Sequence, residues 1–408
     1  GACPPSNFIL PRRGTGGIRL SFIIIMRLPA FRTLLTVLLL LVAGDLTAQS
    51  FRDKAIEAAK VGDLNAAVDN YEKALDSTLK VFKEDHVEVI TCRLELGEAY
   101  RAAGRWDDAI GQLDYVWKRA RYDAEQNKRW DGEEGHLAYA AAEKLGRSLQ
   151  GAARYPEAAV VFATAISDAE KSGRNEDQIL TLDALLADTL LLLDRVQDGE
   201  KTVARARERI IRNHGNEPEA AVRMLSTLTT IYYHHRQYAL AAPIAEEAVE
   251  IATKGLPPTH PATALALSNL GSSLIHVSGR LNDAVKSLEA AEQVYLQQGN
   301  RDARELMNIH LNLSQAEALR GRNNEAEKRG MEALRIARLH YSADGLEVAQ
   351  TLHNLANCYM TLKQPGKASD LYANAQIILE KNLGRDHPQS VEVRKKLEVA
   401  RAAAAEGK

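Results

Sequence analysis

Aromatic residues are scarce in this chain: phenylalanine, tyrosine and tryptophan together fill 5% of its 408 positions. A long, thin seam in which each segment touches only its neighbours tolerates that scarcity better than a rounded core does. Cysteine is rarer still, with Cys3, Cys92 and Cys358 alone, too few for a disulfide or metal framework. Neither sign of charge dominates, since 52 Lys and Arg face 54 Asp and Glu for a net charge of −2. Nucleic-acid binding, which needs a basic stripe, is therefore not expected. No Gly-rich phosphate loop, nucleophile elbow or H-E-x-x-H is present. His234 and His235 are adjacent, so on a helix they point about 100° apart and share a metal poorly. Carboxylate clusters such as Glu246, Glu247 and Glu250 read as a solvated helix face. No catalytic residue, metal site or cofactor is expected.

What the chain does contain is repetition. From Ala349 to Gly384 the sequence reads as two amphipathic helices around a turn at Gln364-Pro365-Gly366. Small residues (Ala356, Ala368, Ala375) let two helices approach closely, while Leu355, Tyr359 and Tyr372 fill the gaps between them. The small residue early in the second helix recurs as Ala67, Ala109, Ala158, Gly199, Ala241, Ala284, Ala326 and Ala368. The separations are 42, 49, 41, 42, 43, 42 and 42 residues. A bulky residue usually follows four positions later (Tyr71, Leu113, Phe162, Val203, Leu288, Tyr372), but Ala245 and Gly330 break the rule. Twelve or thirteen residues upstream, the first helix carries its own small residue at Gly97, Gly146, Gly271 and Ala356. The fourth repeat shows no clear counterpart there.

This pattern resembles the tetratricopeptide repeat, a helix–turn–helix unit. The 42-residue period, the linkers Leu383-Gly384-Arg385-Asp386-His387-Pro388 and Leu256-Pro257-Pro258-Thr259-His260-Pro261, and the phrases Leu267–Gly271 and Leu352–Ala356 resemble its longer kinesin light chain form. The resemblance implies an all-α fold: a right-handed superhelical solenoid of about eight helix–turn–helix repeats, closed by a C-terminal capping helix. Boundaries fall near 51–85, 87–135, 137–175, 178–214, 219–255, 261–299, 303–341 and 346–384, with the cap at 387–405. Cys92 and Cys358, six repeats apart, lie beyond the ~7 Å Cα separation of a disulfide and read as free, partly buried thiols. The seven extra residues of the second repeat amount to about two helical turns. They predict a longer second helix, or else a hairpin that presents Trp117 and Trp130 for contact.

Residues 1–25 lack periodicity and read as an extension ahead of a start at Met26. Arg27 and Arg32, then the apolar run Leu34 to Ala43 and a small-residue exit ending at Ala48, give the layout of a secretory signal peptide over 26–48. The run is short for a membrane span, which needs ~17 residues. An exported, periplasmic or secreted protein is expected. The alternatives are a membrane anchor over Met26–Ala48, the sole route to membrane contact, or a cytoplasmic regulator.

In the resembled family the first helices line a concave groove that holds extended peptides. Two positions before each first-helix small residue stand Asn269, Asn312 and Asn354, one per repeat. An asparagine amide both donates and accepts, which suits a peptide backbone. The resemblance implies that role for this ladder, with Gln315, His353, Asn357, His276, Arg147 and Tyr233 as neighbouring groove positions. The expected function is a non-catalytic scaffold for a protein or peptide partner. Action through the convex face or the long second repeat is the alternative.

Overall fold

The computed structural model describes residues 47–130, 132–172 and 176–406. The upstream extension and nearly all of the expected leader, including Arg27, Arg32 and Leu34 to Ala43, lie outside the described residues. Ala48, the expected last leader residue, is buried inside a helix running over 47–60. Among the described residues there are seventeen helices and no strand. None of them is long and apolar enough to cross a membrane.

The chain divides into two compact halves, one ending at Arg174 and the other beginning at Asn175. The N-terminal half contains α1 (47–60), α2 (Leu64–Leu79), α3 (Val87–Ala102), α4 (Trp106–Asn127), α5 (Glu133–Gly151) and α6 (Tyr155–Ser172). The C-terminal half begins with α7 (Glu176–Leu192), α8 (Val196–His214), α9 (Pro218–His234), α10 (Tyr238–Gly255), α11 (Pro261–Leu274) and α12 (Leu281–Gln297). It continues with α13 (Leu306–Leu319), α14 (Asn323–His340), α15 (Leu346–Thr361), α16 (Pro365–Leu383) and α17 (Pro388–Glu406). From α2 onward every helix packs on the next within its half, and successive first helices such as α9 and α11, or α13 and α15, also touch.

The small and large positions of the repeat meet as the sequence predicts. A Cβ on Gly97 would lie 2.7 Å from Leu113 Cγ, and one on Gly271 would lie 2.5 Å from Leu288 Cγ. On Gly146 it would lie 2.2 Å from Phe162 Cε1 and Cζ. Each first helix thus gives up a side chain so that the second can insert one. Ala187, fully buried, stands twelve residues before Gly199 and supplies the small residue that the sequence reading missed in the fourth repeat. Gly330 has another solution: Leu355 of the following repeat fills its space, 2.3 Å from where a Cβ would stand, alongside Ser314 Oγ at 2.9 Å.

Seven of the eight connections inside repeats are three residues long and share one geometry. The middle residue is left-handed, at Gly62 (φ 82°), Gly104 (73°) and Gly321 (74°), but also at Ala153 (58°), Asp194 (58°), Arg236 (58°) and Lys363 (56°). The next residue donates its N–H to the carbonyl five positions back, as Arg154 does to Leu149 at 2.8 Å and Gln364 to Tyr359 at 2.9 Å. This is the Schellman closure. The last turn therefore lies at 362–364, two residues before the expected Gln364-Pro365-Gly366. Pro365 opens α16, where a missing N–H costs nothing. Gly151 ends α5, and the Trp106 ring packs against it with Cε3 2.7 Å from where a Cβ would stand. A left-handed backbone costs an L-residue more than it costs glycine. Ala153→Gly and Lys363→Gly should each raise stability by about 0.5–1 kcal/mol, read as higher urea midpoints at unchanged m.

The linker histidines have a local task. His86 Nδ1 accepts the Glu88 N–H at 3.2 Å, His260 Nδ1 that of Ala262 at 3.2 Å, and His387 Nδ1 that of Gln389 at 3.3 Å. Each caps the first helix of the following segment, where four N–H groups otherwise lack partners. Pro243 sits in the second turn of α10 and removes one helical hydrogen bond. The seven extra residues lengthen α4 to 22 residues. Trp117 is 8% exposed beneath the Arg121 guanidinium, and Trp130 is half-buried with its ring 6.1 Å from Tyr139 on α5. Neither ring presents an open contact surface.

Candidate functional site: a groove along the first helices

The first helices α9, α11, α13 and α15 of the C-terminal half line a groove of about 670 Å³. Asn269, Asn312, Asn354 and Tyr233 all face it. The ladder arises because each asparagine holds the same place relative to its repeat's small residue, so helix stacking brings the three into register. Asn312 donates from Nδ2 to Ser272 Oγ on the preceding first helix at 2.7 Å. Ser272 in turn donates to the Ser268 carbonyl at 2.7 Å. Asn269 Nδ2 is buried and has no hydrogen-bond partner among the described residues. The other groove residues include Leu265, Ser268, Asn308 and Glu305, which sequence reasoning passed over. Leu265 and Asn308 lie four residues before Asn269 and Asn312, one turn along the same helix face, and that spacing was the available signal.

Tetratricopeptide repeat models match residues 46–114, 258–338 and 348–389. The chain is a tetratricopeptide-repeat protein. Between the first two matches, successive helices pack on one another up to residue 172 and, separately, from residue 176 to 257. Among solved structures, a putative kinesin light chain repeat protein of Podosopora anserina is 22% identical. That match covers 46% of this chain and 88% of the other, with a TM-score of 0.40. BtubC (BKLC) of P. vanneervenii is 16% identical over 57% of this chain and 94% of its own, with a TM-score of 0.46. The quorum sensor NprR of B. thuringiensis is 13% identical over 89% and 96%, with a TM-score of 0.46. No curated protein matches the chain.

The remaining expected residues of this tetratricopeptide-repeat protein lie elsewhere than on the groove wall. Tyr238 and His276 stack at 4.0 Å, and Tyr233 meets them edge-on at 5.4 and 6.2 Å, so His276 backs the groove residue Tyr233. Packing among these rings and the nearby Arg236 charge hold the His276 imidazole below its usual pKa. Gln315 is half-buried on α13 and is not among the groove-lining residues. Arg147 belongs to the N-terminal half, where it pairs with Glu143 at 3.0 Å. Charges on the first helices of that half also close on one another: Arg52 with Glu95 at 2.5 Å, and Lys144 with Glu98.

His353 and Asn357 face the capping helix. Lys396 on α17 brings its Nζ to 2.9 Å from His353 Nε2 and 3.2 Å from Asn357 Oδ1. Tyr372 donates to Asn357 Oδ1 at 2.6 Å, its ring 5.8 Å from His353, while Glu392 pairs with Lys396 at 3.0 Å. Only 9% of His353 is exposed. Burial, and then the Lys396 ammonium, push its pKa down to about 4. The unfolded imidazole titrates near 6.5, so the unfolded chain binds the extra proton first. Stability contributed by the neutral ring is complete above pH ~6.5, falls as pH drops, and stops falling below ~4. Between pH 8 and pH 5 the C-terminal half should lose about 2 kcal/mol, seen as a lower urea midpoint. His353→Gln should remove most of that pH dependence.

Among the described residues no group of three or more His, Cys, Asp or Glu is placed to hold a metal ion. His235 instead pairs with Asp188 at 2.8 Å. Cys92 and Cys358 are free and buried, and burial pushes both thiols above their usual pKa.

Proposed function

We propose that this chain is a non-catalytic scaffold that holds an extended segment of a protein partner in the groove of its C-terminal half. The observation that carries the reading is the register of Asn269, Asn312 and Asn354 on three successive first helices facing one groove. Their amides match the alternating donors and acceptors of an extended backbone. The N-terminal half supports the placement indirectly, since the first-helix charges Glu95, Glu98 and Lys144 are taken up by ion pairs.

Crosslinked capture tests this directly, with contact sites mapped by mass spectrometry and wild type compared with Asn269→Ala/Asn312→Ala/Asn354→Ala. Each amide–backbone pair contributes about 1 kcal/mol. The triple variant, equally helical by circular dichroism, should bind its partner roughly a hundredfold more weakly. Unchanged capture by the variant would move the binding surface off the groove.

We further place the scaffold outside the cytoplasm, on the strength of Arg27, Arg32 and the apolar run that follows. Sequencing the N-terminus of protein recovered from cells expressing all 408 residues tests this. Cleavage after Ala48 supports export, and an intact leader on cytosolic protein refutes it.

A further inference from the structure

Charge is distributed unevenly along the first helices. Asp, Glu, Lys and Arg make up 26% of the chain but only two of the twenty residues lining the groove, Arg223 and Glu305. Both already have partners. Arg223 donates from Nε and Nη2 to Glu219 Oε1 at 3.0 and 2.7 Å, and Glu305 lies 3.8 Å from Arg304. Away from this pair of rim charges, the wall consists of asparagine amides, hydroxyls, apolar side chains up to the size of Leu265, Ile309 and Leu311, the Tyr233 and Tyr295 rings, and the imidazole of His234. The ring cluster behind Tyr233 adds no cation at neutral pH, because the His276 imidazole is held below its usual pKa.

A charged side chain entering such a groove loses water and meets no free counter-charge. A peptide main chain loses its water too, but asparagine and serine groups replace each bond it gives up. The groove therefore discriminates between segments by charge, and it does so by exclusion. Its reach follows from helix spacing. Four first helices about 10 Å apart span ~30 Å, which an extended chain covers in roughly nine residues.

Building on the groove-binding reading above, we propose that the occupant is an extended peptide segment of about nine residues that carries no charged side chains and is held mainly through its main chain. The contrast lies within this one protein: the first helices α3 and α5 carry charges at their surface, whereas α11 offers Ser268, Asn269 and Ser272.

Selection of random dodecapeptides displayed on phage against the purified chain tests the proposal, with affinities of synthetic hits measured by fluorescence polarisation. Uncharged hits are expected, with affinity constant within twofold between 50 and 500 mM NaCl, and with binding lost in the equally helical triple asparagine variant. Hits rich in one sign of charge, weakening more than tenfold over that salt range but still lost in the triple variant, overturn the charge inference and leave the groove reading standing. Hits that bind wild type and triple variant alike, or no hits at all, overturn both. A gain-of-specificity variant adds a second check. Glu219→Gln releases Arg223, and a derivative of the best peptide with one added aspartate should then bind at least fivefold better than it binds wild type. No gain over a set of aspartate positions counts against the proposal.

Discussion

Replacing Asp183 by alanine destabilises the C-terminal half by about 4 kcal/mol, the cost of breaking a buried ion pair from one side. Asp183 is fully buried on α7. The Arg205 guanidinium donates to its Oδ1, and Arg209 Nε lies 3.4 Å from its Oδ2. Arg209 is itself 9% exposed, with Glu176 at 2.8 Å as its other anion. Removing the carboxylate leaves a desolvated guanidinium with half of its compensation. Urea unfolding of Asp183→Ala measures the loss. Asp183→Leu combined with Arg209→Met should recover most of it, because a packed apolar pair of similar volume often matches a buried ion pair. A loss below 1 kcal/mol in the single variant would mean that the pair is solvated in solution.

Gly146→Ala should cost at least about 3 kcal/mol, at the upper end for overpacking a core. The added methyl would stand 2.2 Å from two carbons of the Phe162 ring, and that ring is fully buried and has nowhere to go. Phe162→Leu relieves the contact, so the double variant should be more stable than the two single losses predict, with a coupling of about 1–2 kcal/mol. Strict additivity would show that α5 and α6 separate to admit the methyl. The comparison with Gly151→Ala is informative. There the obstructing Trp106 ring is half-buried and free to swing outward, so the cost should be smaller.

Periodicity made most of this architecture readable. A small residue facing a large one leaves a mark at a fixed separation, and Gly97 with Leu113 or Gly271 with Leu288 is legible as such a pair in the sequence. The turns were less legible. Four of the seven left-handed positions are held by Ala153, Asp194, Arg236 and Lys363, of which only the aspartate is a common turn residue, so the backbone geometry is imposed largely by the helices on either side. A glycine need not mark a turn either, since Gly151 is small because a tryptophan lies on it. The asparagine ladder was visible because it repeats. His353 and Asn357 were assigned to the groove because helical phase alone cannot show that α17 would bring Lys396 across them. Contacts made by a segment outside the repeat leave no periodic trace.

The exchange at Gly330 has a consequence for how this array can be cut and rejoined. The second, third and sixth repeats close on themselves, each first helix taking a side chain from its own second helix. The seventh instead borrows Leu355 from the eighth, whose α15 is in turn locked to α17 by Lys396. The C-terminal end is therefore one indivisible block reaching from Ser314 to the last helix. A shortened protein ending after α14 would expose a leucine-sized hole, and one ending after α16 would bare His353. Excision or recombination of single repeats should succeed upstream and fail here, and evolution by repeat duplication would meet the same barrier.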